Sequence, residues 1–261
     1  MLQAAYLLPI KLYASKIIDR YSFFENASEN EVIRENPMKR LKRPVVYKNE
    51  ISEEPLSYNE IQVRKMLRCL ETEPLMWKAI VLFVIDSGCR CGEIMGLKWS
   101  EIDFGSGKVN ICRNIQYTAE LGRIVNTSKN GKNRTIYINR PVLNCLDEWK
   151  KAQVKENGAI AEKGYCFTKK DGTPLIPVSF NNYLYRFGKK YGFPGIHPHT
   201  LRHTMASLSI ANGADIVSVS KKLGHAKTSI TLDIYSHLNT QAQLRANEIL
   251  ADAIYNEDRL Q

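Results

Sequence analysis

The sequence predicts a mixed α/β fold, predominantly helical, with a small antiparallel sheet in one domain and a helical N-terminal segment before it. Three observations support this fold class. Apolar residues recur at helical spacing in several segments. Two neighbouring segments alternate in polarity as β-strands do. A basic, proline-containing stretch separates the first helices from the rest and is typical of a linker.

Residues 1–45 are predicted to hold the N-terminal helices and the linker. Apolar residues at helical spacing predict one amphipathic helix over Ala4–Phe24, and a second short helix covers Ser28–Glu35. Pro37 ends this second helix. The linker that follows carries a run of four cations, Lys39, Arg40, Lys42 and Arg43. Such a run is either solvated or in contact with a phosphate backbone, and both interpretations stay open.

Residues 46–261 are predicted to form the larger domain. The Ser57–Glu60 segment has a capping-box pattern and opens a helix that reaches about Leu70. Further helices are predicted at Trp77–Asp86, Gly92–Leu97, Val142–Glu156, Ser179–Tyr191 and Thr200–Ala211. A short helix that Asp215 caps and Gly224 ends comes next, and Thr228 is expected to cap the helix that contains Tyr235.

Two features complete the predicted domain. Strands are expected over Lys108–Tyr117 and Arg123–Ile138, and Asn130-Gly131 is a two-residue turn signal that places Lys129 beside a hairpin tip. A C-terminal tail helix is predicted over about residues 240–256. Its apolar stripe consists of Ala246, Ile249, Leu250, Ala253 and Ile254.

The composition narrows the classes of partner. The 261 residues carry a formal net charge of +10, which favours a polyanionic partner such as nucleic acid. The six cysteines form neither a secreted disulfide framework nor a C-x-x-C pair, so we expect reduced thiols. The apolar run Trp77–Ile85 is too short to span a bilayer. These features predict a cytoplasmic, nucleoid-associated protein with no membrane partner.

One C-terminal stretch concentrates groups that handle protons and phosphate. All five histidines lie between His197 and His237, together with Arg202 and Tyr235. A guanidinium offers a planar fork of donors to phosphate oxygens. A tyrosine phenol can act as a covalent nucleophile. The stretch therefore predicts chemistry on a phosphate.

Two upstream segments complete a recognisable pattern. Gly88-Cys89-Arg90-Cys91-Gly92-Glu93 has the form G-x-R-x-G-E, and Asn126–Thr135 is a basic segment that contains Lys129. An H-x-x-R pair, an L-G-H triplet and a tyrosine follow in order. Together these motifs resemble those of the tyrosine recombinase, or phage-type integrase, family. The resemblance covers about Pro55–His237 and extends more loosely into the linker.

The resemblance implies a role for each matching residue. Arg90 and Arg202 would clamp the phosphate, Lys129 would protonate the leaving group, His199 and His225 would assist, and Tyr235 would be the nucleophile. Glu93 and His203 would support them. Lys132 is an alternative to Lys129. No metal and no cofactor are implied.

The resemblance also implies partners. We expect double-stranded DNA with specific attachment sites, self-assembly into a tetramer on that DNA, and accessory DNA-bending or directionality proteins. The chain would integrate or excise a mobile element. Residues 1–45 would be part of the DNA clamp, or core-binding domain, of which at most two helices are present here.

Other functions stay open on the sequence alone. In a metal-dependent tyrosine nickase, His197 and His199 would be ligands of the metal. A catalytically silent DNA-binding protein would keep the charge without the reaction. A type IB-like topoisomerase would share the chemistry but act without a partner molecule.

Overall fold

The computed structural model describes residues 57–127, 133–157 and 164–225, together with residues 228, 231–232, 247, 250–251 and 254. These residues belong to one compact unit that begins at Glu54. The predicted N-terminal helices, the four linker cations and the domain boundary between residues 45 and 46 lie outside the described residues and stay predictions.

The described part of the chain is mostly helical, as the sequence predicts. Its helices are α1 (Glu60–Leu70), α2 (Leu75–Ser87), α3 (Cys91–Met95), α4 (Arg140–Asn157), α5 (Pro177–Tyr191), α6 (Pro198–Ala211) and α7 (Ile216–Leu223). Each overlaps a predicted helix. Helix α2 is apolar on most sides because it packs against both α4 and α6. None of the described helices is long and apolar enough to cross a membrane.

Helix α1 begins two residues later than the capping-box pattern suggests. Asn59, and not Ser57, is its N-cap, and the Asn59 side chain accepts a hydrogen bond from the backbone N–H of Gln62. Tertiary contacts explain the shift. Tyr58 is buried, its backbone N–H donates to the Thr204 hydroxyl, and its own hydroxyl donates to the Pro194 carbonyl. These bonds hold Tyr58 outside the helix.

The strands form two antiparallel pairs, in agreement with the small antiparallel sheet predicted. They are β1 (Lys108–Ile111), β2 (Arg113–Thr118), β3 (Gly122–Thr127) and β4 (Arg134–Tyr137). β1 pairs with β4, which places Ile111 opposite Arg134, and β2 pairs with β3. A turn between Thr118 and Gly122 joins the second pair. Asn130-Gly131 lies outside the described residues, and its turn stays a prediction.

Two apolar clusters support the fold. The larger one contains the biggest fully buried side chains, among them Phe83, Phe167, Phe180 and Phe187. A smaller cluster lies between α6 and α7 and consists of Met205, Ala206, Ile210, Val219 and Leu223. Burying one such Leu side chain contributes about 2 kcal/mol. The smaller cluster therefore holds α7 against α6, and this contact decides where the end of α7 lies.

The described residues beyond His225 are helical. Thr228, expected as a helix cap, is itself helical, as are Thr231 and Leu232. In the predicted tail helix, Asn247, Leu250, Ala251 and Ile254 are helical, and the side chains of Leu250 and Ile254 are exposed.

Candidate active site

Arg90 lies at the first turn of α3, where its own backbone and side chain both bind Glu93. The backbone N–H of Arg90 donates to Glu93 Oε2 at 2.8 Å, and Nη1 donates to Oε1 at 3.1 Å. Nη2 donates to the Gly224 carbonyl at 3.2 Å. The Arg90 side chain nevertheless stays partly exposed. It can therefore contact a ligand without losing these bonds.

Arg202 is buried in the middle of the site. Its Nη1 donates to the Gly88 carbonyl at 2.6 Å and its Nη2 to the Leu223 carbonyl at 2.8 Å. Burial, followed by the positive charge of Arg90, lowers the pKa of Arg202 to about 10. The sequence places Arg90 and Arg202 far apart, and the fold brings both to the end of α7.

A third guanidinium, Arg134 at the start of β4, completes the group. Its Nη1 and Nη2 bind the two oxygens of Glu93 at 2.8 and 2.7 Å, and its Nε donates to the Lys222 carbonyl at 2.9 Å. Our sequence analysis gave Arg134 no role. A signal was present, because β-alternation puts Arg134 on the same face as the buried Ile136.

Three successive carbonyls at the end of α7 thus each accept from a different arginine. Lys222 binds Arg134, Leu223 binds Arg202 and Gly224 binds Arg90. The last carbonyls of a helix have no partner within it and carry partial negative charge. We call Arg90, Arg134 and Arg202, with Glu93 between them, the arginine cluster. One carboxylate in this cluster faces three guanidinium groups.

Two glycines in the motifs are required by their backbone conformation. Gly88 ends α2 with φ of 63°, and Gly224 ends α7 with φ of 70°. L-residues rarely adopt these angles. A Cβ at Gly224 would also lie 2.8 Å from Nη1 of Arg134. The glycines therefore set the directions of the two carbonyls that Arg202 and Arg90 bind.

The histidines of α6 and of the L-G-H triplet have lowered pKa values. Burial, then the charges of Arg202 and Arg90, lowers the pKa of His225 to about 4. Burial and then Arg202 lower the pKa of His199. For His203 the causes are burial and then His199. All three imidazoles are therefore neutral at pH 7 and can exchange protons with a reacting group.

His225 has a partner that the sequence analysis missed. Its Nδ1 lies 2.7 Å from the hydroxyl of the buried Thr231. When Thr231 donates this hydrogen bond, the ring proton lies on Nε2, which is then a donor. Thr231 precedes Tyr235 by four residues, so a helix would place both on one face.

The nickase hypothesis makes His197 a metal ligand, but in the structure the His197 ring has a different role. His197 is the N-cap of α6, and its Nδ1 accepts from the backbone N–H of Thr200 at 3.1 Å. Its ring centroid lies 6.2 Å from that of His199. Within the described residues, no group of three or more His, Cys, Asp or Glu side chains has a geometry that holds a metal ion.

The structure brings together Arg90, Glu93, Arg202 and His225, with His199 on the same side of α6 as Arg202. His203 lies on α6 as well and is half-buried. Several predicted site residues lie outside the described residues and stay predictions. They are Lys129, its alternative Lys132, Tyr235, and the linker cations Lys39, Arg40, Lys42 and Arg43.

Comparison with known proteins gives the family of the chain. Residues 58–242 match the model of the phage integrase family. The chain belongs to the phage integrase family. The matched range includes the arginine cluster and the three histidines with lowered pKa.

Individual integrases and recombinases are similar over most of the chain. The ICEBs1 integrase of Bacillus subtilis is 27% identical over 237 residues, 88% of this chain and 62% of the relative. A XerC-like tyrosine recombinase of Caldanaerobacter subterraneus is 28% identical over 249 residues, 88% of this chain and 63% of the relative. The chain thus spans under two thirds of the length of these two relatives.

Solved structures show the same fold. The Tn1549 transposon integrase in complex with a circular intermediate DNA superimposes with a TM-score of 0.73 at 19% identity. The superposition covers 92% of this chain and 79% of the integrase. The integrase-family fold, helical with a small antiparallel sheet, is therefore shared despite low sequence identity.

Proposed function

We propose that this chain cleaves and rejoins DNA at specific sites through a 3′-phosphotyrosine intermediate on Tyr235. The observation that carries the proposal is the charge of the arginine cluster. Three guanidinium groups surround one carboxylate, and Arg90 remains partly exposed beside His225. The excess positive charge suits an anion that gains charge during its reaction, as a phosphodiester does under nucleophilic attack.

The proposed reaction is a transesterification. The Tyr235 oxygen bonds to phosphorus as the bond to the 5′ oxygen breaks, and the 3′ phosphate stays on the enzyme. At pH 7, ionising a phenol of pKa about 10 costs roughly 4 kcal/mol. Nearby positive charge reduces this cost, and neutral His199 accepts the phenol proton. Lys129 donates a proton to the leaving 5′ oxygen. The second half of the reaction reverses these steps with a new 5′ hydroxyl.

Arg90 and Arg202 would divide the stabilisation of the phosphate between them. Arg202 is held by two carbonyls and is buried, so it offers a fixed charge. Arg90 is the exposed partner and makes direct contact with the phosphate oxygens. Nε2–H of the neutral His225 would donate to the same group.

The biological role we propose is integration or excision of a mobile element. The names of two similar proteins support it, since one is the ICEBs1 integrase and the other is the integrase of the Tn1549 transposon. The partner would be double-stranded DNA with specific attachment sites, contacted in part by the linker cations. Accessory DNA-bending or directionality proteins would select the direction of the reaction.

Recombination joins two duplexes, so we extend the proposal to a tetramer assembled on DNA. Leu250 and Ile254 support this, because both are exposed apolar residues one helical turn apart. A second copy of the chain would cover them. Substituting both by Asp would then prevent assembly while a single copy still cleaves DNA.

A trapping experiment tests the main proposal. Binding sites are first selected from a random-sequence DNA library with the full chain. A set of duplexes is then made, each of which carries the selected site and one nick, and the position of the nick differs by one nucleotide from duplex to duplex. These duplexes are incubated in EDTA with wild-type protein and with the Tyr235→Phe variant. Once cleavage occurs beside the nick, the short 5′-hydroxyl fragment diffuses away and the covalent complex accumulates. A denaturing gel and mass spectrometry measure the adduct.

We expect a wild-type adduct on Tyr235, and binding without adduct for Tyr235→Phe, since only a hydroxyl is lost. An adduct in the variant would assign the nucleophile to another residue. An adduct that forms only when a divalent metal is added would favour the nickase. Specific binding without an adduct on any nicked duplex would favour the silent DNA-binding protein.

A further inference from the structure

We propose that Arg134 is a positioning residue of this site: it locks Glu93 and the end of α7 in the arrangement that Arg90 and His225 need. The inference rests on the proposed function, because it names a residue required for the same reaction. Arg134 has no contact with the substrate in this proposal. It acts through the groups that it holds.

The contacts of Arg134 are divided between two elements. Nη1 and Nη2 bind Glu93 of α3 through both carboxylate oxygens, at 2.8 and 2.7 Å. Nε binds the Lys222 carbonyl of α7 at 2.9 Å. A guanidinium is planar and its five donors have fixed directions. One rigid group therefore fixes α3 and the end of α7 relative to each other.

Glu93 transmits this constraint to Arg90. The same two oxygens that bind Arg134 also accept from the backbone N–H and Nη1 of Arg90, at 2.8 and 3.1 Å. Without Arg134, Glu93 can rotate toward Arg90 or toward solvent, and the Arg90 side chain loses its fixed direction. Arg90 in turn binds the Gly224 carbonyl, the residue before His225. The constraint therefore reaches Arg90 and His225, two of the three groups assigned to the phosphate.

The packing around Arg134 leaves little freedom for another side chain. Arg134 is mostly buried, and its guanidinium lies against the Gly224 backbone, where a Cβ would approach Nη1 to 2.8 Å. Nη2 also contacts the Cys89 thiol at 3.5 Å. A lysine in this position would keep the charge but offers one donor nitrogen, which cannot bind Glu93 through two nitrogens and the Lys222 carbonyl through a third.

The electrostatic consequence concerns the ionisation of Glu93. The charged and titratable groups that face its carboxylate are Arg90 and Cys89 from its own turn, Arg134 from β4 and Arg202 from α6. Burial raises the pKa of Glu93, and the hydrogen bonds and charges of Arg134 and then of Arg90 together lower it below its ordinary value. Removing Arg134 therefore raises the pKa of Glu93, and the carboxylate becomes protonated at a higher pH than in the wild-type protein.

The chain provides a matched control in a second buried Arg–Glu pair. Arg113 at the start of β2 binds Glu101, and the side-chain exposures are 18% and 10%, against 15% and 10% for Arg134 and Glu93. Arg113 makes no described contact with the arginine cluster. The substitution Arg113→Gln therefore reports what loss of a buried ion pair does to stability alone.

The test compares Arg134→Gln, Arg134→Lys and Arg113→Gln with wild-type full-length chain. Single-turnover rates of adduct formation are measured from acidic to alkaline pH on the selected nicked duplex, and DNA affinity is measured separately. In the DNA-free proteins, 13C NMR follows the titration of the Glu93 carboxyl, assigned by its loss in Glu93→Gln. Urea unfolding gives the stability of each variant.

We expect Arg134→Gln to slow adduct formation roughly 10²-fold with little change in DNA affinity. The acid limb of its pH–rate profile, where the rate falls as the pH is lowered, moves to higher pH, and Glu93 titrates at higher pH. Arg134→Lys restores part of the rate and keeps the acid limb near that of wild type. Arg113→Gln lowers stability to a similar degree and leaves the rate, the acid limb and Glu93 unchanged.

Two results would overturn the inference. One is an unchanged Glu93 titration in Arg134→Gln, and the other is an equal loss of rate in Arg113→Gln and Arg134→Gln when both are folded. A wild-type chain that forms no adduct counts against the proposed function. In that case the carboxyl titration still decides whether Arg134 holds Glu93, because it requires no DNA.

Discussion

The two buried Arg–Glu pairs in the described part of this domain have nearly the same burial and different electrostatic surroundings. Glu101 binds Arg113, accepts from the backbone N–H of Lys98 and contacts the Cys112 thiol. Glu93 binds Arg134 and Arg90 and lies close enough to affect the pKa of Arg202. One pair is balanced within itself, and the other is part of a group with an excess of positive charge. The same residue types thus build a structural tie at one place and, in the function that we propose, a site for an anion at the other.

The excess charge of the arginine cluster requires compensation in the DNA-free protein. Part of it comes from the carbonyls of Lys222, Leu223 and Gly224, since the C-terminus of a helix carries about half a negative charge. The remaining repulsion is visible in Arg202, whose pKa falls to about 10 through burial and the charge of Arg90. A phosphate would complete the compensation, which gives a physical reason for DNA to bind here.

The largest expected difference between the two regions comes from removing one arginine of each. Arg90→Gln removes a donor to the phosphate and should slow adduct formation about 10³-fold, with little loss of stability because it also relieves repulsion on Arg202. Arg113→Gln should lower the free energy of unfolding by about 3 kcal/mol and leave the reaction rate unchanged. Urea unfolding and single-turnover cleavage measure both variants. If Arg90→Gln proves the less stable of the two, the contrast is wrong.

A smaller effect concerns the pH dependence of stability. The pKa of His225 falls from its ordinary 6.5 to about 4, and the pKa values of His199 and His203 are also lowered. Above pH 6.5 the folded and unfolded chains are both neutral at these rings. Below it the unfolded chain binds protons that the folded chain resists, so stability falls as the pH drops from about 6.5 to about 4.

The contrast between the two Arg–Glu pairs predicts which variant changes the dependence of stability on pH below 6.5. Arg90 contributes to the lowered pKa of His225 and His199, so Arg90→Gln should make the loss of stability below pH 6.5 shallower. The charges that lower these histidine pKa values are those of the arginine cluster and of neighbouring histidines, so Arg113→Gln should leave the histidine contribution to the slope unchanged. Urea unfolding at intervals from pH 4 to 6.5 decides between them. Parallel curves for wild type and Arg90→Gln would show that the arginine cluster does not control these imidazoles.

The smallest effect is expected at the edge of the arginine cluster. Thr231→Val keeps the shape of the side chain and removes the hydroxyl that binds Nδ1 of His225. The free energy of unfolding should fall by about 1 kcal/mol, and cleavage should slow because the ring tautomer is no longer fixed. Thr231→Ser should retain both properties. A Thr231→Val chain that cleaves at the wild-type rate would mean that His225 acts without this partner.

The helices were predictable because each has its own apolar pattern and residues that begin or end a helix. Asp215 and Gly224 bound α7 as expected, and Gly88 ends α2. The start of α1 was not predictable from local pattern. It depends on the hydrogen bonds of Tyr58 with Thr204 and Pro194, which are 146 and 136 residues away in sequence.

The site was predictable where a motif carries it. Arg90, Arg202 and His225 stand in recognisable motifs, and the structure brings them together. Arg134 was missed because the family resemblance gave the role in this basic segment to Lys129, and because the acidic partner of Arg134 is 41 residues away in sequence. The burial of the Arg134 side chain is what distinguishes it from the other cations. This burial depends on the pairing of β4 with β1.

The end of α7 contributes to the site only through its backbone. Three consecutive carbonyls each bind one arginine, so the side chain at Lys221 can vary without altering the arrangement, whereas the Lys222 side chain also forms an ion pair with Asp86 at 3.9 Å. The length of α7 is not free. One inserted residue would turn its last carbonyls by about 100° and misdirect three arginines together. The tolerance of this part of the chain is therefore asymmetric: it accepts substitutions that keep the backbone and rejects a change in residue number.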